Sequence, residues 1–251
     1  MSVTRDQLLA AFDDLLRPSK FRDYCPNGLQ VEGRGEITRL ISGVTACQAL
    51  IDAAVDWQAD AILVHHGYFW RGEPAPLVGM KARRIRTLMR QNINLFAYHL
   101  PLDCHPTLGN NAGLGRAMGI AEFAPLDPTD DTLPVFVGEL STVTDQDEVA
   151  ARLEEALGRS VTSVAERAVR RIAWCTGGGQ SYIELAADAG ADLFVSGEIS
   201  EQTVHVARER GIGFIAAGHH ATERFGAREV GVWASREFAL AHQFVDIDSP
   251  A

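Results

Sequence analysis

The chain has 251 residues, 46% apolar and 22% charged, the balance of a soluble globular protein with room for one large or two small domains. Its formal net charge is −10 and its 23 basic residues are scattered, which argues against a nucleic acid or an anionic membrane as partner, because phosphate binding draws on clustered Lys and Arg. No apolar run reaches the length of a membrane span. The opening MSVTRDQLLAAFDDLL has acids inside its apolar stretch and no basic start, so it reads as a helix and not as a secretory signal. Leu8, Phe12, Leu15 and Leu16 share one face of that helix, and Thr4 with Gln7 fits a capping box at its start. Cys25, Cys47, Cys104 and Cys175 form no CxxC pair and read as reduced thiols of a cytoplasmic protein.

The first half alternates strand and helix. LISGVTA (Leu40 to Ala46), AILV (from Ala61) and INLFAYH (from Ile93) read as strands. CQALIDAAVDWQA and the basic KARRIRTLMRQN read as helices between them. Strands so uniformly apolar are buried on both faces, which predicts an α/β fold with a mainly parallel sheet under helices. Phe123 to Pro134, with three prolines and three acids, is the predicted linker. Beyond it VFVGEL, RIAWC, DLFVSGE and GIGFIAAGHH read as strands, and HQFVDID as a last one. DQDEVAARLEEAL, SYIELAADAG and QTVHVARER read as helices.

Two stretches are alike. ADAILVHHG (Ala59 to Gly67) matches ADLFVSGE (Ala191 to Glu198), and each leads through a helix to a strand that ends in histidine, YHLPLD and GHHATE. His99 stands four residues before Asp103, and His219 four before Glu223. Six of the eight histidines fall just past apolar strands, as His65 with His66, His99 with His105, and His219 with His220. A lone histidine there is a satisfied core or capping residue. Three clusters with nearby carboxylates at the carboxyl ends of strands point to a metal site. Adjacent residues in a strand face opposite ways, so His65 and His66 suit two ions better than one, fanning out past the strand end. Metal pairs of this kind stand roughly 3.5–4 Å apart.

NGLQVEG (Asn27 to Gly33), ILVHHGYFW, AYHLPLD, GNN (Gly109 to Asn111), CTGGGQ (Cys175 to Gln180), SGE (Ser196 to Glu198) and GHHATE (Gly218 to Glu223) follow in this order. Together they resemble the Nif-three-like dinuclear-metal proteins, also called GTP cyclohydrolase I type 2 homologues, in their short bacterial form, over nearly the whole chain. The resemblance implies two interlocked α/β domains, one of residues 1–126 plus 224–251 and one of 132–223. It implies a toroidal homohexamer with a two-metal site facing its cavity. Carried over by motif, the metal ligands are His65, His66, Asp103, His219 and Glu223, with Glu223 the bridging carboxylate. His220 is read as structural or as supporting the ligands. His99 is the candidate catalytic residue, either a proton shuttle or an orienting partner of Asp103. Glu198 either supports the ligands or caps the next helix. TGGGQ lacks Walker or Rossmann spacing and reads as a tight turn rather than a phosphate loop.

No GxSxG elbow is present, and Cys104 beside His105 in sequence does not make a nucleophile–base pair. Tyr68, Phe69 and Trp70 read as core or subunit interface, with base stacking as the alternative. A His/Asp/Glu set suits Zn, Mn, Fe, Co or Ni, two divalent ions per chain by resemblance. The expected function is a metal-dependent hydrolase of a nucleotide-like small molecule, for which the family name points to C8 of a purine nucleotide. The alternative is a non-catalytic metal-binding or scaffold protein.

Overall fold

Thr4 starts the first helix as expected. In the computed structural model, which describes residues 2–251, its Oγ1 accepts the Gln7 N–H at 3.2 Å while Gln7 Oε1 accepts the Thr4 N–H at 3.1 Å. The chain divides into two units, residues 1–102 with 226–248 and residues 103–225 with 249–251. The first division falls after Leu102, where 126–132 was expected, and the second after Phe225, where 223/224 was expected. Among the described residues no helix is long and apolar enough to cross a membrane.

The first unit holds a five-stranded sheet in the order Ala241–Phe244, Arg39–Thr45, Ala61–His66, Asn94–Ala97, Gly28–Val31. Its first three pairings are parallel and the last is antiparallel. Helices Gln48–Asp56 and Gly79–Gln91 cover one face, where Leu50, Ile51, Ile85 and Leu88 pack with Ile41, Ile62, Val64 and Leu95. On the other face Phe12, from helix Arg5–Leu16, meets Phe96 edge-on at 5.5 Å and Trp233, from helix Arg224–Phe238, at 6.2 Å. Helices on both faces explain why the central strands carry no alternation.

The second unit holds a six-stranded sheet in the order Phe123–Pro125, Phe136–Asp145, Ala168–Cys175, Leu193–Ser196, Gly213–Ala216, Thr162–Val164. Only the three strands from Ala168 to Ala216 run parallel to each other, and the remaining pairings are antiparallel. From Gly138 to Ser141 the strand Phe136–Asp145 alternates buried and exposed residues, the mark of a strand with one wet face. Asn110–Ala117 and Gln146–Leu157 cover one face through Leu114, Val149 and Leu153, and Ile183–Asp188 with Glu201–Arg210 cover the other through Ile183 and Ala207. The expected linker is a hairpin connection inside this unit. Phe123–Pro125 pairs antiparallel with Phe136–Gly138, and the intervening turns are closed by Asp127 and Asp130, which accept from Thr129 and Thr132.

The likeness of the two AD stretches has a physical basis. Asp60 Oδ2 accepts the consecutive N–H groups of Thr38 and Arg39 at 2.7 and 2.9 Å. Asp192 Oδ2 does the same for Arg170 and Arg171 at 3.0 and 2.9 Å. Each carboxylate ties the start of its own strand to the start of the neighbouring parallel strand. The match of the histidine endings is one residue out. Asn94 pairs with Ala61 and Gly213 with Leu193, so His99 lies at the place of Gly218, not of His219.

Candidate metal centre

In the first unit the Ala61–His66 strand ends in the paired histidines, and the chain turns there through Gly67. A Cβ on Gly67 would lie 2.2 Å from Gln30 Oε1, so only glycine fits. Gln30 accepts the Tyr68 N–H at 2.7 Å and donates to the Tyr68 carbonyl at 3.1 Å, which locks the turn. A Cβ on Gly33 would lie 2.5 Å from the Asn92 carbonyl, so in the NGLQVEG motif Gly33 allows close passage of the 92–94 backbone while Gln30 braces the histidine turn.

His65 is fully buried, and its Nδ1 faces the Tyr98 carbonyl at 3.2 Å. A carbonyl only accepts, so Nδ1 carries the proton and Nε2 the lone pair, the tautomer a metal ligand needs. His66 Nδ1 meets Thr45 Oγ1 at 3.2 Å. The rings of His65 and His66 lie 4.5 Å apart, and that of His99 lies 4.9 and 5.7 Å from them. One ligand nitrogen from each of the three falls within 4.8 Å of the others.

His99 is held by Asp23, a residue that no sequence motif singles out. Its Nδ1 is 2.7 Å from Asp23 Oδ1, and its N–H donates to Asn27 Oδ1 at 2.7 Å. Asp23 also accepts from Tyr24 N, Asn27 Nδ2 and Leu100 N. Burial pushes the Asp23 carboxyl up, but the hydrogen bond and charge of His99, with Asn27 and the Tyr24 N–H, outweigh it and hold the group at about 2. Through these bonds Asp23 fixes the orientation of His99. His105 acts locally instead. Its Nδ1 accepts the N–H groups of Thr107 and Leu108, closing the turn there.

In the second unit Asp103 is buried, and its Oδ1 accepts from Asn110 Nδ2 at 2.9 Å and Thr176 Oγ1 at 3.0 Å. Asn111 donates to the Asp103 carbonyl and accepts the Thr176 N–H. GNN and the start of CTGGGQ therefore hold this carboxylate from two sides. Asp103 and Glu223 each offer a carboxylate oxygen within 4.8 Å of the other, although both are buried. Glu223 Oε2 is 3.2 Å from His219 Nε2, and Glu198 Oε1 is 2.7 Å from His219 Nδ1. The Glu223 hydrogen bond pushes His219 up to about 9 against the opposing effect of burial, and Glu198 adds to the rise. Glu198 thus orients His219, the supporting role of the two weighed for it. For His220 the backbone N–H donates to the Ala251 carbonyl at 3.2 Å.

The glycine loop does more than turn the chain. Gly177 has φ +64, and a Cβ there would lie 2.0 Å from Glu223 Oε1 and 3.3 Å from His219 Nε2. A Cβ on Gly197 would lie 2.6 Å from the Gly177 carbonyl and 2.7 Å from His219 Cα. The TGGGQ loop is thus the cradle of the Glu223 carboxylate.

These side chains suit a divalent cation. Two buried carboxylates stand close in one unit beside the His219 imidazole, and a cluster of three imidazoles, His65 among them with its Nε2 lone pair, stands in the other. The five expected ligands divide as His65 and His66 in the first unit and Asp103, His219 and Glu223 in the second.

The profile of the Duf34/NIF3 (NGG1p interacting factor 3) family matches residues 3–250. A Pseudomonas aeruginosa protein named GTP cyclohydrolase 1 type 2 homolog is 51% identical over 252 residues, covering 100% of both chains. A Yersinia pestis protein of the same name is 52% identical over 98% of each. Among solved structures, protein ybgI, described as of unknown function, superposes with a TM-score of 0.94 at 46% identity, over 99% of this chain and 100% of that one. Protein TTHA1606 of Thermus thermophilus does so with a TM-score of 0.88 at 33% identity, again over 99% and 100%. With its ordered motifs, its two α/β units and these relatives, the chain belongs to the Duf34/NIF3 family.

Proposed function

We propose that the chain binds two divalent metal ions through His65, His66, Asp103, His219 and Glu223 and hydrolyses a nucleotide-like small molecule in the cytoplasm. The observation that carries this is the fitted donor set within each unit: imidazoles turned by a backbone carbonyl and a hydroxyl, and a glutamate seated where glycine alone leaves room. The GTP cyclohydrolase label of the relatives supports the substrate class. When bound, such ions supply charge for activating water and stabilising a developing anion. The protein holds its ligands by second contacts, Tyr98 O for His65, Thr45 for His66, Asn110 and Thr176 for Asp103, and Glu198 for His219. His99, fixed by Asp23 at Nδ1, is the proton carrier of the reading.

The test is a panel of nucleotides and phosphoesters incubated with metal-loaded protein, repeated with Asp103→Ala and His99→Ala. Turnover lost in both variants supports the hydrolase. Metal binding without any turnover identifies the alternative, a metal-binding or scaffold protein.

We also propose that the chain assembles with copies of itself into a closed ring of six. Residues 74–80, PAPLVGM, are all exposed, with Leu77 at 51%, Val78 at 68% and Met80 at 56%. An apolar run of this length in open solvent marks an interface. Beside it Leu77, Ala82, Ile85 and Met89 line a cleft of about 410 Å³ rimmed by Arg86 and Arg90. Sedimentation of the wild type and of Leu77→Asp/Val78→Asp tests it. A monomeric wild type at micromolar concentration overturns it.

A further inference from the structure

We propose that Tyr24, Trp70 and Arg71 form a ligand subsite beside the histidine cluster, and that it takes a planar heteroaromatic ring carrying an anionic group. The inference deepens the hydrolase reading by assigning residues to the ligand, and rests on it for the ligand's role as substrate, not for its binding.

The run Tyr68-Phe69-Trp70 is not uniformly core. Tyr68 is, at 4% exposure, with its hydroxyl donating to the Ala46 carbonyl at 2.7 Å. Phe69 is 38% exposed and adopts φ 65, a left-handed conformation that a bulky aromatic avoids. The loop is held there from outside. Glu73 Oε2 accepts the N–H groups of both Phe69 and Trp70, at 3.0 and 3.2 Å. Lys81 pairs with Glu73 at 3.0 Å and sits over the Phe69 ring at 4.8 Å. Backbone strain kept in place by several contacts, next to a candidate site, marks a segment shaped for something other than stability.

What the strained loop delivers is Trp70 and Arg71. The Trp70 indole meets His99 edge-to-face at 4.9 Å and lies 5.8 Å from His66. Its Nε1 donates to the Gly67 carbonyl at 3.3 Å, which fixes the ring. Tyr24 is 56% exposed and stands 6.3 Å from His99. Arg71 stacks its guanidinium on Tyr24 at 5.8 Å, donates one Nη2–H to the Asp23 carbonyl at 3.0 Å, and donates its backbone N–H to the Tyr24 carbonyl at 2.7 Å. Arg71 is exposed, and among the described residues no carboxylate pairs with its five-donor guanidinium. Fixed aromatic surfaces recognise a flat ring by stacking, and an arginine fork recognises a phosphate or carboxylate. The same rings lying in core would be covered, as Tyr68 is.

The experiment is calorimetric titration of the full-length, metal-loaded protein with AMP, adenosine and ribose 5-phosphate. AMP is expected to bind tightest. Trp70→Ala is expected to weaken AMP and adenosine by at least about fivefold, the scale of one lost stacking contact. Arg71→Ala is expected to weaken AMP by about tenfold and leave adenosine unchanged, as loss of a charge-assisted pair requires. Tyr24→Ala, at an exposed position, gives the stacking readout should Trp70→Ala fail to fold. AMP bound with these losses, with no member of the nucleotide and phosphoester panel turned over, supports the subsite while removing the hydrolase reading. No binding of any probe by the wild type, or binding equal in all variants, overturns the subsite.

Discussion

Replacing Gly177 by alanine puts one methyl group where the Glu223 carboxylate sits. The new Cβ would stand 2.0 Å from Oε1 and 3.0 Å from Cδ, well inside van der Waals contact. Glu223 is buried and is flanked by His219 at 3.2 Å, so it has little room to yield. Relief needs a carboxylate shift of about 1 Å or more, a misplacement that costs on the order of 100-fold in catalytic rate and pulls the carboxylate out of line as a ligand. The backbone adds about 1–2 kcal/mol, because φ +64 is left-handed and alanine resists it. For a chain of this size that lowers Tm by roughly 2–8 °C and leaves the fold intact. Gly178→Ala is the matched control: the nearest atoms to its Cβ belong to Glu198, at 3.7 Å, an ordinary contact. Metal content by mass spectrometry, with thermal melts alongside, reads both effects. The expected result is a folded Gly177→Ala protein that loses most of its metal and a Gly178→Ala protein like the wild type. Equal metal content in the two variants would refute the cradle.

Three further outcomes are expected. Asp60→Ala strands the paired N–H groups of Thr38 and Arg39 and should cost about 1–3 kcal/mol, and Asp192→Ala should cost a similar or smaller amount at its more exposed amides, as urea melts would show. The Asp23 carboxyl lies at about 2 in the fold against an ordinary 3.8, so its contribution is complete above about pH 4 and vanishes as pH falls through 2. Asp23→Asn in metal-free protein should therefore lose about 1–2 kcal/mol near neutral pH, after allowance for solvent screening, and the gap to wild type should close between pH 4 and 2; a gap constant with pH contradicts this. Chelation should strip metal and leave circular dichroism unchanged, because each unit has its own apolar core, and outright unfolding would count against it.

The strands that carry the site were readable because each is a short apolar run closed by polar residues. Leu193–Ser196 stands where its pattern puts it, whereas the strand expected as AILV runs on to His66, so both histidines lie in the strand and not past its end. What local pattern does not carry is pairing at a distance. Asp23 reaches His99 across 76 residues, and nothing in FRDYCPN announces it. The Pro- and Asp-rich stretch at 123–134 looks like a linker because hairpin turns and linkers use the same residues. The Arg224–Phe238 helix was hidden by Gly226 and Gly231, which blur its periodicity. Gly231 is there for packing, since a Cβ would lie 2.1 Å from His242 Nε2. The same holds for Gly177: a glycine chosen for a neighbour's carboxylate looks in sequence like one chosen for a turn.

The measurement that bears most directly on the metal centre is the ion-to-chain ratio of purified wild type, Glu223→Gln and His66→Ala. An amide has no charge and one good donor oxygen, so it cannot hold two cations together, whereas losing one imidazole strips a ligand from one ion alone. About two ions per wild-type chain, close to none for Glu223→Gln and about one for His66→Ala are expected. A wild type that never exceeds one ion, or a Glu223→Gln protein that keeps both, would contradict a two-ion centre bridged by Glu223.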